Sequence, residues 1–257
     1  MSRQPPREHV PPAQRFRVRY AKRGRLRFAS HRDFQRALER ALRRAGIPMA
    51  YSAGFTPHPK ISYANAAPTG TASEAEYLEI GVSEACDPED LRRRIDRALP
   101  EGFDVLEVVE ARTPDFAARL QASRWRIELP DVGDAEAASA VAALLATGSA
   151  PVERLMKDGR RTIDVRPAIL SAAVAPGRPE QPPCAILTVV VQAVTPSVRP
   201  DDILAALRSV AGLIPPVPAQ VTREMQGPVE VAEPAAQVPE GFTLGDPLAA
   251  DREADQT

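Results

Sequence analysis

Two of the chain's three histidines, His31 and His58, stand in short segments crowded with residue types that handle phosphate and nucleobases. His31 lies in Phe28-Ala29-Ser30-His31-Arg32-Asp33, where a strand is expected to hand over to a helix. Backbone N–H groups and the positive end of a helix dipole meet at such a point. Asp33 would either favour the protonated imidazole of His31 or cap the helix, with Ser30 as its partner. His58 lies in Ala50-Tyr51-Ser52-Ala53-Gly54-Phe55-Thr56-Pro57-His58-Pro59-Lys60. Two prolines flank it and hold the backbone extended. Gly54 permits a tight turn or close approach to a ligand. Tyr51, Phe55 and Tyr63 offer ring faces for unpaired bases, with Lys60 beside them for a phosphate. Ser52 completes the loop's polar groups. The competing reading is a rigid connecting loop whose aromatic rings pack on a core.

The cations around these segments are unevenly distributed. Residues 1–70 hold fifteen Lys and Arg against Glu8, Asp33 and Glu39, a net charge of +12, whereas the remaining 187 residues carry −13. Arg15, Arg17 and Arg19 alternate with Phe16, Val18 and Tyr20, so one strand face is basic and the other apolar. Lys22, Arg23, Arg25 and Arg27 follow, and Arg32, Arg36, Arg40, Arg43 and Arg44 come on the next segment. Arrays of this kind bind phosphate backbones by Coulomb attraction and counterion release, whereas a face that merely solvates usually mixes signs.

The elements that position these groups follow from periodicity. The period of two at 15–20 predicts a strand, Ala21 to Gly24 a turn, and Arg25 to Phe28 a second strand closing a hairpin. Ser30 would cap a helix whose apolar face is Phe34, Ala37, Leu38, Ala41 and Leu42, stopped by Gly46 and Pro48. A strand at 76–82, a helix opened by Pro88, and a strand at 104–111 complete the first stretch. The order recurs: strand 124–129, helix 134–146, a hairpin of 152–156 and 161–166, strand 185–194, a helix from Pro200 and a strand at 217–225. The expected fold is therefore α+β, two tandem ferredoxin-like split βαβ domains at 15–113 and 124–226. Residues 1–14 and 227–257, rich in proline and charge, are expected to be disordered tails.

Composition excludes several function classes. With 44% apolar residues the chain builds a core, and no apolar run is long enough for a membrane span. The opening MSRQPPREHVPPAQ lacks the apolar stretch of a secretory signal, so a cytoplasmic location is expected. Cys86 and Cys184 form no CxxC cluster and read as ordinary reduced thiols, leaving no candidate metal set and no expected cofactor. P-loop, GxSxG and HExxH patterns are missing.

Lys22 to Asp33, Arg40 to Pro48 and Tyr51 to Lys60 together resemble the radical-SAM-linked protein family, an uncharacterised bacterial domain. Ser73, Glu76-Tyr77 and Asp164-Val165-Arg166-Pro167 also resemble its pattern. The likeness extends over residues 15 to 226 and is denser in the first half. It implies a radical-SAM enzyme as partner, beside which such domains occur or to which they are fused. It carries Ser30, His31, Asp33, Ser52, Gly54, Phe55, Pro57, His58, Pro59 and Lys60 over as family positions. Actinobacterial members, to which this chain is similar, tend to be encoded near ribonuclease E/G and ribosomal proteins. The family usually has Leu where Arg32 stands and Asn where Thr56 stands. The cysteines that would hold a radical-generating cluster are absent.

The function expected from these observations is an RNA-binding accessory protein, working with a radical-SAM enzyme in tRNA or rRNA modification. Arg15, Arg17, Arg19, Lys22, Arg25 and Lys60 would hold phosphate, Tyr51 and Phe55 would stack bases, and His31 with His58 would contact the nucleotide. Two alternatives belong to other classes. One is a metal-independent endoribonuclease with His31 and His58 as acid and base. The other is a protein–protein adaptor whose basic face docks an acidic partner.

Overall fold

The computed structural model describes residues 11–53, 55–156, 159–175, 182–231 and 242–255. The chain forms two compact units, Met1–Ala117 with Pro247–Thr257, and Ala118–Asp246.

In the first unit, β1 (Gln14–Lys22) leads through a 3₁₀ turn (Gly24–Phe28) into α1 (His31–Arg44). Then come β2 (Ile61–Ala64), β3 (Ala72–Val82), α2 (Pro88–Ala98) and β4 (Phe103–Glu110). The strands lie in the order β4-β1-β3-β2, each antiparallel to its neighbour. The apolar alternation of β1 puts Phe16, Val18 and Tyr20 into one core with Phe34, Leu38 and Leu42 of α1 and Leu91 and Ile95 of α2. Full burial of each such side chain stabilises by about 1.5–3 kcal/mol. α1 starts at a capping box, in which Ser30 Oγ accepts from Asp33 N at 3.2 Å and Asp33 Oδ2 accepts from Ser30 N at 3.1 Å. It ends where Gly46 adopts φ +63°, and the Arg94 guanidinium donates to the Ala45 and Gly46 carbonyls. At the start of α2, Asp87 accepts from Asp90 N at 2.7 Å, and Pro88 occupies the first turn, where no N–H is needed.

A single helical turn, α3 (Phe116–Arg119), lies where the chain passes from one unit to the other. The second unit holds β5 (Ala122–Pro130), α4 (Asp134–Ala146), the separate hairpin β6 (Pro151–Met156) and β7 (Gly159–Asp164), and β8 (Ile169–Ala175). After these come β9 (Cys184–Gln192), α5 (Pro200–Ala211) and β10 (Gln220–Gly227). Its strand order is β10-β5-β9-β8, again antiparallel throughout. Ile127, Leu129, Leu144, Leu187, Ile203 and Leu207 are fully buried in its core. β11 (Val229–Val231) pairs with β12 (Phe242–Leu244), and the last helix, α6 (Ala249–Asp255), belongs to the first unit.

The protein is thus a mixed, mostly antiparallel α+β structure. Three expectations need correction. Arg25 to Phe28 is a 3₁₀ turn and not a hairpin strand: Gly24 turns the chain at φ +53°, and half-buried Leu26 packs against the helix-side core. Four alternating residues are too few to separate the two periods. Secondly, β2 and β8 were not foreseen, being short or uniformly apolar. Thirdly, the expected disordered stretch 227–257 contains β11, β12 and α6, although 232–241 lie outside the described residues. Leu248 is fully buried and anchors α6 by its apolar side chain. At the other end 1–10 lie outside the described residues, but Ala13 N already donates to Val82 O and Gln14 opens β1.

Candidate functional site

The β1 arginines share a face, as alternation requires, but that face is occupied by carboxylates. Arg17 is 3% exposed: one of its Nη groups donates to Asp251 Oδ2 of α6 and to Thr113 Oγ1 (3.1 Å), and its Cζ lies 4.8 Å from the Phe116 ring centroid. Arg15 is exposed and pairs with Glu79 Oε1 at 3.2 Å. Arg19 is half-buried and donates to the Glu74 carbonyl at 2.9 Å. Lys22 is buried and donates to the Pro68 carbonyl at 3.1 Å. Arg17 and Lys22 are therefore structural cations, corrected from phosphate ligands: the partners that cover them come from α6 and the loop before β3, far away in sequence.

The unsatisfied positive charge lies one element later. Arg25 and Arg27 on the 3₁₀ turn, and Arg32, Arg36, Arg40 and Arg43 on α1, have no ion-pair partner among the described residues. All but the half-buried Arg27 are exposed. At about 100° per residue, Arg32, Arg36, Arg40 and Arg43 fall within roughly 80° of one another on the helix, opposite the core-facing Phe34, Leu38 and Ala41. Arg44 is different, because it donates to the Ala98 carbonyl. Phe28, which sequence reading gave no role, is 60% exposed, and Arg27 Cζ stands 4.7 Å from its ring centroid. Its neighbours Arg25, Arg27 and Arg32 were the available signal: an aromatic ring amid cations at a turn.

The two imidazoles occupy different surfaces. His31, first residue of α1, is exposed, meets Gln35 Nε2 at 3.0 Å through Nε2, and packs edge-on against Tyr63 at 4.9 Å. Tyr63 lies opposite Leu78 and also meets Phe34 edge-on, so this is the helix side of the sheet. Its hydroxyl is buried with no hydrogen-bond partner among the described residues, and burial, aided by Glu39, pushes its ionisation well above the ordinary value. His58 sits instead at the mouth of a groove of about 230 Å³ shared with Arg15, Ser62 and Glu79. Ser62 faces Glu79 across the β2–β3 ladder, and the Glu79 carboxylate meets Arg15 and Arg17, on the face away from α1 and α2. His31 and His58 are not brought together, which corrects their pairing as a catalytic couple.

The His58 loop is stitched to the sheet. Ser52 N donates to His58 O at 2.8 Å, His58 N donates to Ser52 Oγ at 3.0 Å, Lys60 N donates to Ala50 O at 2.8 Å, and Gly81 N donates to Lys60 O at 2.9 Å. Tyr51 pairs with Pro59, so the tip is a small closed loop bearing Tyr51, 50% exposed, and Phe55, 78% exposed. The rings therefore project outward and do not pack on the core. Gly54 lies outside the described residues. Ser30 and Asp33 are accounted for as helix caps. The Ser30 hydroxyl and N–H hold the Asp33 carboxyl below the usual carboxylate range.

Other motif residues also serve the fold. Ser73 Oγ donates to Glu76 Oε1 at 2.6 Å, and Glu76 Oε2 accepts from Ala67 N at 2.9 Å, fixing the loop before β3. Asp164 accepts from Ala150 N, Ser149 Oγ and Arg166 N, chiefly the first, and titrates below its ordinary range. Cys86 and Cys184 are unpaired thiols, and burial pushes that of Cys86 up. Among the described residues no three His, Cys, Asp or Glu side chains converge as a metal site, and no helix is long and apolar enough to cross a membrane.

These features define an α+β protein that presents one unpaired cationic helix face and a separate polar groove. The chain belongs to a bacterial family, described as an uncharacterized protein conserved in bacteria (DUF2344), whose model matches residues 15–200. No curated protein matches it.

Proposed function

We propose that this protein binds RNA through the exposed face of α1 and the preceding 3₁₀ turn, as an accessory factor in tRNA or rRNA modification. One observation carries the reading: six arginines, Arg25, Arg27, Arg32, Arg36, Arg40 and Arg43, cluster on adjoining elements with no ion-pair partner among the described residues. Arg32, Arg36 and Arg40 stand four apart, where like charges destabilise a helix by about 0.2–0.5 kcal/mol per pair. A polyanionic ligand relieves that repulsion and releases its own counterions. Phe28 at the end of this array, and Tyr51 and Phe55 on the His58 loop, are exposed rings on which unpaired bases stack. Among the strand cations, Arg15 and Arg19 contribute less, because Glu79 and the Glu74 carbonyl already hold them.

A radical-SAM enzyme as partner rests on the sequence resemblance alone. Within each unit the strand order, last-first-third-second with the second unit's β6–β7 hairpin set aside, supports reading both as split βαβ units of ferredoxin-like type. Such folds carry many functions, so the charge pattern and not the topology bears the weight.

The test is filter binding of tRNA at graded salt. The log–log slope should become shallower by about 1.4 in an Arg36→Glu/Arg40→Glu variant, at about 0.7 per lost phosphate contact with single strands. A wild-type slope near zero removes the proposal. Association with a purified radical-SAM enzyme that survives nuclease treatment, in a protein without salt-dependent RNA affinity, assigns the cationic face to an adaptor instead.

A further inference from the structure

We propose that the groove beside His58 is a second anion site, taking the terminal phosphate of a phosphomonoester. It lies on the sheet face away from α1 and α2, so it is separate from the α1 arginines and stands whether or not they bind RNA. Four donor side chains line it: Arg15, Ser52, His58 and Lys60, with the exposed hydroxyl of Ser62 as a fifth. Ser52 Oγ already accepts from His58 N, which leaves its own hydrogen to donate into the groove. One carboxylate, Glu79, is present, but Arg15 stands at 3.2 Å and Arg17 at 3.6 Å from its two oxygens, so its charge is offset before any ligand arrives.

Number and kind of donors select the ligand. A carboxylate presents two oxygens and a single charge, whereas a phosphate monoester presents three acceptor oxygens and up to two charges. Five donors from three chain segments match the latter. Size agrees: about 230 Å³ is below the roughly 300–1,000 Å³ of pockets that enclose whole drug-sized ligands, so the groove suits the phosphate and leaves its organic part outside. The floor is shaped for this. A Cβ on Gly81 would stand 3.0 Å from Pro12 Cγ and 3.4 Å from Lys60 Cβ, so a side chain there would crowd the groove. The walls are also held, because the Ser52–His58 hydrogen bonds and the Tyr51–Pro59 pairing fix the loop to β3 through Lys60 and Gly81.

Two sources share this chemistry, the phosphorylated end of an RNA and a free nucleotide, and the experiment separates them. The full chain is titrated with inorganic phosphate, then AMP, then adenosine, following the imidazole C–H resonances by NMR, with His58 assigned from a His58→Gln variant. Phosphate and AMP are expected to shift the His58 resonances saturably and leave those of His31 in place, while adenosine does neither. Lys60→Met and Ser62→Ala, each with an unchanged thermal midpoint, should weaken AMP about tenfold, the loss of one hydrogen bond to a charged group. A 5′-phosphorylated oligonucleotide that shifts His58 where its 5′-hydroxyl form does not assigns the site to RNA ends, and equal behaviour of the two assigns it to free nucleotides. No shift of His58 with inorganic phosphate or AMP, or an equal shift of His31, overturns the proposal.

Discussion

At the scale of single residues, the two most informative side chains are Arg17 and Asp251. Asp251 Oδ1 accepts from Arg112 N and Thr113 N, both at 3.0 Å, and from Thr113 Oγ1 at 2.6 Å, while Oδ2 meets Arg17. Removing one member of a buried pair strands the other, at about 3–5 kcal/mol. Arg17→Ala and Asp251→Asn should each lower the unfolding free energy read from urea denaturation by that amount. Burial opposes ionisation of Asp251, but hydrogen bonds from Thr113 and Arg17 outweigh it and hold the carboxyl below the usual carboxylate range. A carboxyl depressed in the folded state contributes stability above its unfolded value, about 3.9, and loses it as pH falls through the folded one. Wild-type stability should therefore decline below about pH 4, and Asp251→Asn, weaker at neutral pH, should decline less across that window. Ser30→Ala belongs to the same scale: it removes a cap and should destabilise by about 1 kcal/mol, visible as a lower thermal midpoint.

At the scale of elements, α1 carries a conflict between stability and binding. Its core face, Phe34, Leu38, Ala41 and Leu42, is buried, and its outer face carries Arg32, Arg36, Arg40 and Arg43 against two exposed carboxylates, Asp33 and Glu39. Replacing Arg36 and Arg40 by Gln should leave the thermal midpoint unchanged or slightly raised, since like-charge pairs four apart are relieved by about 0.2–0.5 kcal/mol each. The same variant should bind tRNA more weakly at every salt concentration. Binding sites that impose such a penalty on their own scaffold are a recurrent form of the stability–function trade-off. Phe28, 60% exposed on the adjoining 3₁₀ turn, makes a complementary prediction. Phe28→Ala should scarcely alter the midpoint, yet weaken single-stranded RNA by about 1–3 kcal/mol, the worth of one stacked base. Duplex RNA, whose bases offer no free faces, should be unaffected in the same competition assay.

At the scale of the whole chain, the first unit is built from both ends of the sequence. Asp251 lies 234 positions from Arg17, and Arg252 pairs with Glu107 while Arg112 pairs with Asp255. A chain ending at Asp246 loses buried Leu248 along with these pairs. It should unfold at lower urea than the full chain, by at least as much as Arg17→Ala alone. Introducing Arg17→Met into the shortened chain should then recover stability, because an uncompensated buried guanidinium has become an apolar side chain. Equal stability of the long and short chains would contradict the role given to α6.

What was legible in the residues alone was everything with a strong local period. β1, α1, α2, β4, α4 and α5 lie within a few residues of the periodicity that announced them, because alternation or three-four spacing over two or more turns specifies a face whatever covers it. The basic character of 15–44 and the proline-stiffened, aromatic-bearing segment around His58 were equally local. β2 and β8 were not legible, since four residues of mixed character and seven of nearly uniform apolarity have no period to read. α6 was hidden for a different reason: a short polar helix is held by Leu248 and Asp251, whose partners appear only when the chain folds back. The same limit decided the site. Alternation put Arg15, Arg17 and Arg19 on one face, but whether that face met water, a ligand or carboxylates depended on β3 and α6. Only tertiary contacts turned Arg17 into a buried anchor, left the α1 arginines bare, and put His31 and His58 on opposite sides of one sheet. Charge neutralisation and convergence are properties of distances across the fold, and distance along the chain does not encode them.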